Sequence, residues 1–352
     1  MSRHVLQGAW LIALSAAAPL SAGLTPQVLV QRGEPITWSG PQSIGADSEG
    51  RVFFLNGDSR TLYPLSRDHQ LGSPVRLEAH SDESYRSGSM SRRGEWLLIS
   101  GSTIQRSTAN SSSTAPALAW LPLSAAFVDG DPLVVLSTSK LKRTGATGDG
   151  PAPLVVRWSG DEWVTEIPGA APSEADATDP TRAISQRAAS ILEERNGRYF
   201  LTRLYEYHVE YRLRGKDRPL ATLRVGRPGM RERASRPGEE AALSERVKPS
   251  ERGRVGVFLG LEAVLKMALM PSGQLLLLTG EALGGCGLDR VDWDRRVVDR
   301  IGLDSTCPRN MAAGRDGLYL IDGKGDGPRL FLSWKALDEA NWSRVKDPEF
   351  VD

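Results

Sequence analysis

One motif recurs along this chain and decides what it can fold into. An apolar stretch leads into a polar turn ending in glycine, and a second apolar run follows. The copies are Ile44–Asn56 (IGADSEGRVFFLN), Gly88–Ser100 (GSMSRRGEWLLIS), Ile191–Arg203 (ILEERNGRYFLTR), Lys266–Thr279 (KMALMPSGQLLLLT) and Asn310–Asp322 (NMAAGRDGLYLID). Their anchoring glycines are Gly50, Gly94, Gly197, Gly273 and Gly317, and the first and last intervals are both 44 residues. The 103-residue gap takes two units, with a degraded third unit between them. The 76-residue gap takes one unit plus a charged insert. A period of about 40–50 residues is that of a propeller blade. The count predicts six blades; a seven-bladed ring and a β-sandwich are the alternatives.

The physical sense of the cassette supports a ring. Glycine supplies the positive φ of a tight hairpin. The run after it, such as Val52–Leu55 or Leu275–Leu278, is apolar at every position. A middle strand of a blade is buried on both faces, so it needs a continuous apolar run rather than alternation. Further short strands follow the first cassette at Thr61–Ser66 and Pro74–Glu78, which completes a four-stranded blade. After the second cassette, Ser100–Thr114 reads as a Ser/Thr-rich loop and Ala117–Leu123 as the next strand. The early strand Gln27–Gln31 is placed to complete the last blade.

This pattern resembles the six-bladed NHL/TolB-like propeller superfamily over most of the chain. The resemblance implies an all-β, six-bladed propeller of four-stranded antiparallel blades. It leaves function open, because that superfamily holds interaction modules, calcium-dependent lactonases and esterases, and amidating lyases.

The N-terminus reads as an export signal. Arg3 and His4 precede the apolar stretch Val5–Ala18, and Pro19 and Ser21-Ala22-Gly23 follow. That order of basic start, short apolar core and small exit residues marks a signal peptide. The chain therefore divides into a signal at 1–23 and one propeller at 24–352, with a charged insert at about 227–254 in which Glu239–Val247 suits a short helix. The destination is periplasmic or extracellular, with no membrane span once the signal is removed. A formal net charge of +1 excludes the global basic field that draws a chain to nucleic acid. The expected state is a monomer. Cys286 and Cys307 flank a hairpin turning near Asp294-Arg295; in an oxidising compartment the expectation is a structural disulfide, with two free buried thiols as the alternative.

Aligned on their glycines, the copies share a polar column seven positions earlier: Ser43, Ser87, Ser190, Lys266 and Asn310. If the first strand of each blade lines the channel, this column rings one mouth. It is either a ligand rim or a set of solvated strand entries. Glu193 departs from the small or apolar residues that stand at its place in the other copies, and is added as the fourth blade's own candidate. No catalytic residue is assigned, since GxSxG, HExxH and phosphate-loop patterns do not occur. A lactonase-like calcium would centre on Asn310, and Lys266 opposes a cation there. A lyase-like zinc would need paired histidines, and His69, His80 and His208 lack ligand spacing. The reading is a binding module for a protein, peptide or glycan with no cofactor. The alternative is a calcium-dependent lactonase- or esterase-like hydrolase.

Overall fold

The structure is a computed structural model that describes residues 24–29, 42–57, 60–77, 85, 87–108, 110–140, 153–169, 188–203, 207–225, 230–232, 258–260, 262–281, 286–304, 307–308, 310–321 and 329–352. The signal segment, His80, Asp322 and the helix expected at Glu239–Val247 lie outside the described residues.

Six antiparallel blade sheets succeed one another in chain order, and a separate two-stranded ladder, Met230–Glu232 with Phe258–Gly260, lies between blades 4 and 5 in the sequence. Blade 1 is built from Gln42–Ala46, Val52–Asn56, Thr61–Pro64 and Val75–Arg76. Blade 2 follows with Ser87–Met90, Trp96–Ser100, Thr103–Ser107 and Ser112–Thr114. Blade 3 comprises Trp120–Val128, Asp131–Lys140, Val155–Ser159 and Glu162–Ile167. Ala188–Glu193, Arg198–Arg203, His208–Leu213 and Ala221–Arg224 form blade 4. Blade 5 has Glu262–Leu269, Leu275–Glu281, Cys286–Asp292 and Val297–Gly302. Blade 6 has Asn310–Ala313, Gly317–Ile321 and Arg329–Ser333. The first strands touch one another in sequence from blade 1 to blade 6, and blade 6 touches blade 1, so the ring closes.

The tetraleucine run in blade 5 shows why the cassette needs apolar residues at every position. Leu275 and Leu277 pack with Phe200 and Val209 of blade 4. Leu276 and Leu278 pack with Met311 and Leu318 of blade 6. All four leucines are fully buried. Alternate side chains of a strand point to opposite faces, and here each face meets a different blade.

The chain termini finish the outer rim. Gln27–Val28 pairs antiparallel with Leu330-Phe331 as the outermost strand of blade 6, as the sequence predicts. Just before it, Leu24 bonds Gly302 and Asp304 at the end of blade 5. The C-terminal segment runs back around the outside. A short helix, Trp334–Glu339, is capped by Ser333 and buries Leu337. Ser343–Arg344 then adds to the outer strand of blade 5, and Glu349–Val351 to that of blade 4. These elements are too short to leave a periodic signal in the sequence.

Two readings between Ser100 and Leu123 are corrected. The Ser/Thr-rich stretch is not a loop: Thr103–Ser107 and Ser112–Thr114 are the third and fourth strands of blade 2. Outer strands face solvent, so polar composition does not exclude them. Of the segment read as Ala117–Leu123, only Trp120–Leu123 is strand, and it opens the first strand of blade 3, Trp120–Val128. That strand continues through Val128 and turns at Asp129 (φ 55°) and Gly130 (φ 83°). Two positive φ values in a two-residue loop define a type I′ hairpin. The degraded third unit thus uses a shorter turn than its neighbours.

The cassette glycines have two separate reasons. Gly50, Gly94, Gly197 and Gly273 have φ between 72° and 86°, as the turn requires. At Gly50 a Cβ would also lie 2.6 Å from the backbone nitrogen of Arg315 in blade 6. Gly317 has no positive φ; a Cβ there would overlap the carbonyl oxygen of Leu332.

Cys286 and Cys307 form a disulfide with Cα atoms 5.3 Å apart. It ties the start of blade 5's third strand to the segment entering blade 6. Closing a loop of 21 residues contributes about 3 kcal/mol in the chain-entropy account. Reduction, or the Cys286→Ser/Cys307→Ser pair, is expected to lower unfolding stability by that amount. Urea denaturation with and without reductant measures it, and equal midpoints would refute a stabilising role. Among the described residues no helix is long and apolar enough to cross a membrane.

Candidate functional site

The polar column lies on the first strand of its blades, and cross-strand pairing gives its direction. Directly opposite residues in a sheet share a face. Ser43 stands opposite Leu55, which packs with Trp96 and Leu98 of blade 2. Ser87 stands opposite Ile99, which packs with Phe127 and Val134 of blade 3. Lys266 stands opposite Leu278, facing blade 6. Asn310 stands opposite Ile321, which packs with Ile44 and Phe54 of blade 1. Ser190 stands opposite Thr202. Where the packing fixes the direction, each residue faces the following blade from the innermost strand.

Ser43 shows what a short polar group does there. It is buried, and its Oγ accepts a 2.8 Å bond from the backbone N–H of Gly88 in blade 2. The hydroxyl joins neighbouring inner strands.

Lys266 breaks that pattern. An ammonium has three donors and no acceptor, so it cannot receive an N–H from blade 6 as Ser43 does from blade 2. The register slips between Val264 and Lys266, leaving Leu265 unmatched as a bulge. A bulge bends its strand and re-aims the next side chain. Lys266 is half-buried, and burial pushes its pKa down with no carboxylate acting in the other direction. Among the described residues it has no ion-pair or hydrogen-bond partner. Ser87 and Asn310 are also half-buried, and Ser190 is buried.

Glu193 does not join this group. It lies three residues beyond Ser190 on the same strand, about 10 Å further along and on the opposite face. Its Oε1 accepts a 2.8 Å bond from Asp129 N in the blade 3 hairpin. Its other oxygen is 3.9 Å from Arg92 of blade 2, whose guanidinium also reaches the Glu194 carbonyl. Ser48 N donates to the Arg92 carbonyl, and Arg315 N to the Gly50 carbonyl. The first-hairpin turns of blades 6, 1, 2, 3 and 4 are knit together at this end of the channel. Glu193 is part of the knitting.

A second polar column escaped the sequence reading. The apolar run of the second strand ends in Asn56, Ser100, Ser137, Thr202 and Thr279, all buried. Asn56 stands opposite Gln42, Thr202 opposite Ser190 and Thr279 opposite Val264. The column therefore lies at the same end as Lys266. Thr279 Oγ1 donates to the Gly287 carbonyl at 3.3 Å. The signal was present, since several cassette copies close on a short polar residue.

The histidines serve the packing. His69 lies against Phe331, ring centroids 4.3 Å apart, and its Nδ1 is 3.2 Å from Tyr319 Oη in blade 6. His208 is buried beside Glu210 at 3.7 Å. Among the described residues there is no cluster of three or more His, Cys, Asp or Glu side chains able to hold a metal.

The architecture defines the class: a six-bladed all-β propeller. Similar solved structures include a chain of the mitotic checkpoint complex, 11% identical, TM-score 0.52, covering 95% of this chain and 100% of that one. A Bacteroides thetaiotaomicron protein of unknown function is 10% identical, TM-score 0.50, covering 87% and 75%. A streptogramin B lyase is 9% identical, TM-score 0.49, covering 88% and 97%. No protein-family profile matches the chain, and no curated protein sequence matches it.

Proposed function

We propose that this chain is an exported binding module, taking a protein, peptide or glycan ligand at the strand-start end of the propeller channel. The observation that carries this reading is Lys266, an amine held on the innermost strand of blade 5 with no partner among the described residues. A desolvated ammonium costs folding free energy unless something compensates it. A bound ligand is the compensation that makes such a residue useful. Ser87, Ser190 and Asn310 share its column and supply neutral donors and acceptors. The opposite end is occupied by turn-to-turn hydrogen bonds and the Arg92–Glu193 contact. Export is supported by the N-terminal pattern and the closed cysteine pair, and the mature chain is read as a monomer.

The rival calcium-dependent hydrolase would require several oxygen ligands at one site, carboxylates among them. In this column Asn310 and the serines stand beside a cation instead. The test is a peptide and glycan array probed with the mature chain, alongside metal analysis and a lactone and ester panel. Saturable binding without turnover is the expected result. Stoichiometric calcium, or lactone hydrolysis lost in Asn310→Ala, would overturn the binding reading.

A further inference from the structure

We propose that the Lys266 amine seats the carboxylate of a singly charged ligand at the strand-start end of the channel, between Ser190 of blade 4 and Asn310 of blade 6. This deepens the binding reading above and rests on it. Three observations converge. First, the column position is an acceptor in blade 1, where Ser43 receives the Gly88 N–H, and a donor-only group in blade 5. An ammonium cannot make the bond that Ser43 makes.

Second, the bulge at Leu265 falls immediately before Lys266, and the register slips in the same way just before Ser124 of blade 3 and Ser190 of blade 4; bulges of this kind re-aim a side chain, so Ser190 and Lys266 sit after equivalent bends on neighbouring inner strands. Third, the amine is held under desolvation with no charge among the described residues acting on it. An incoming anion would restore the missing interaction, and a charge-assisted bond to a carboxylate is among the stronger hydrogen bonds.

The charge count selects the class of anion. One ammonium balances one negative charge. A carboxylate closes that balance, whereas a phosphate dianion would leave a second charge desolvated, and burying an unpaired charge is costly. Ser190, as the hydroxyl of the preceding blade, and Asn310, as the amide of the following one, provide neutral donors to a second carboxylate oxygen. The carboxylate could belong to a sugar acid or to an acidic amino-acid side chain, and the arms of the test separate these sources.

Titration calorimetry on the mature chain compares D-glucuronate with D-glucose, N-acetylaspartic acid α-amide (one carboxylate, that of the side chain) with N-acetylasparagine α-amide, and each with inorganic phosphate. The acid of at least one pair is expected to bind at least about tenfold tighter than its neutral partner, the range of one charge-assisted bond. That preference should vanish in Lys266→Met and survive in part in Lys266→Arg, with circular dichroism confirming that both variants fold. Whichever pair shows it identifies the source. Equal affinity within both pairs, a preference that persists in Lys266→Met, phosphate binding tighter than either acid, or no binding by any probe would overturn the proposal. Neutral ligands held equally by wild type and Lys266→Met would overturn the carboxylate assignment while leaving the binding module standing.

Discussion

Replacing Glu210 with alanine is expected to destabilise the propeller by about 3–5 kcal/mol, the cost of removing one member of a buried ionic group. Glu210 is 3% exposed on the third strand of blade 4. Its Oε1 accepts from Arg203 Nε at 2.8 Å and its Oε2 from Arg212 Nε at 2.6 Å. Arg212 is itself buried. Without Glu210, two guanidinium groups face each other with their common anion gone. Urea denaturation measures the loss, and a cost below about 1 kcal/mol would refute the account, since that is the range of an exposed ion pair. Replacing all three residues by apolar ones of similar size should cost far less, because nothing charged is then left behind.

The same group has a pH signature. Burial alone would raise the Glu210 carboxyl pKa, but Arg203 and Arg212 outweigh it and hold it below the ordinary carboxylate value. A depressed folded pKa gives stability that is full above the unfolded pKa and is lost as pH falls through the folded one. The wild type should lose stability on acidification below the usual glutamate range. Glu210→Gln should show a flatter acid limb, starting from a lower plateau.

Ending the chain after Ala340 is the second large change, expected to cost roughly 3 kcal/mol from the apolar area returned to water. The removed segment carries Trp342, whose Nε1 donates to the Leu337 carbonyl at 2.7 Å and whose ring lies 4.7 Å from the Arg290 guanidinium. It also carries Phe350, set edge-on to Trp293 at 5.4 Å, within a group that includes Phe200 and Tyr211. All are half-buried or buried, so the cost per ring is below that of full burial. Truncation additionally bares the outer strands of blades 4 and 5, and bare edges recruit other chains. Light scattering should therefore rise alongside a lowered urea midpoint. A truncated chain with unchanged light scattering and an unchanged midpoint would show the strap to be ornamental.

What could be read in the sequence follows the strength of each physical constraint. The second strands are buried on both faces, so they announce themselves as VFFLN, WLLIS and LLLLT. The turn glycines need positive φ or close approach, so they fall at regular intervals. Blade 3 blurred because its Asp129-Gly130 turn is shorter than the others and moves the glycine relative to the strands. Outer strands such as Val75–Arg76 and Ser112–Thr114 are exposed and short, and solvent imposes no pattern on them. At the site, the column of Ser43, Ser87, Ser190, Lys266 and Asn310 was legible from alignment. The Gly88 N–H that Ser43 receives is 45 residues away and needs coordinates. Glu193 could have been separated from Ser190 by the two-residue period of a strand alone, since residues three apart point to opposite faces.

The strand Gln27–Val28 that finishes blade 6 carries a consequence for how the protein is made. Its partner Phe331 is synthesised some 300 residues later, so the early strand waits through the synthesis of all five preceding blades. Until then blade 6 has no outer edge, and Leu24 likewise waits for Gly302 and Asp304 at the end of blade 5. The ring cannot close before Leu330-Phe331 has emerged. Exposed edges during that interval are the point at which a chaperone would hold it.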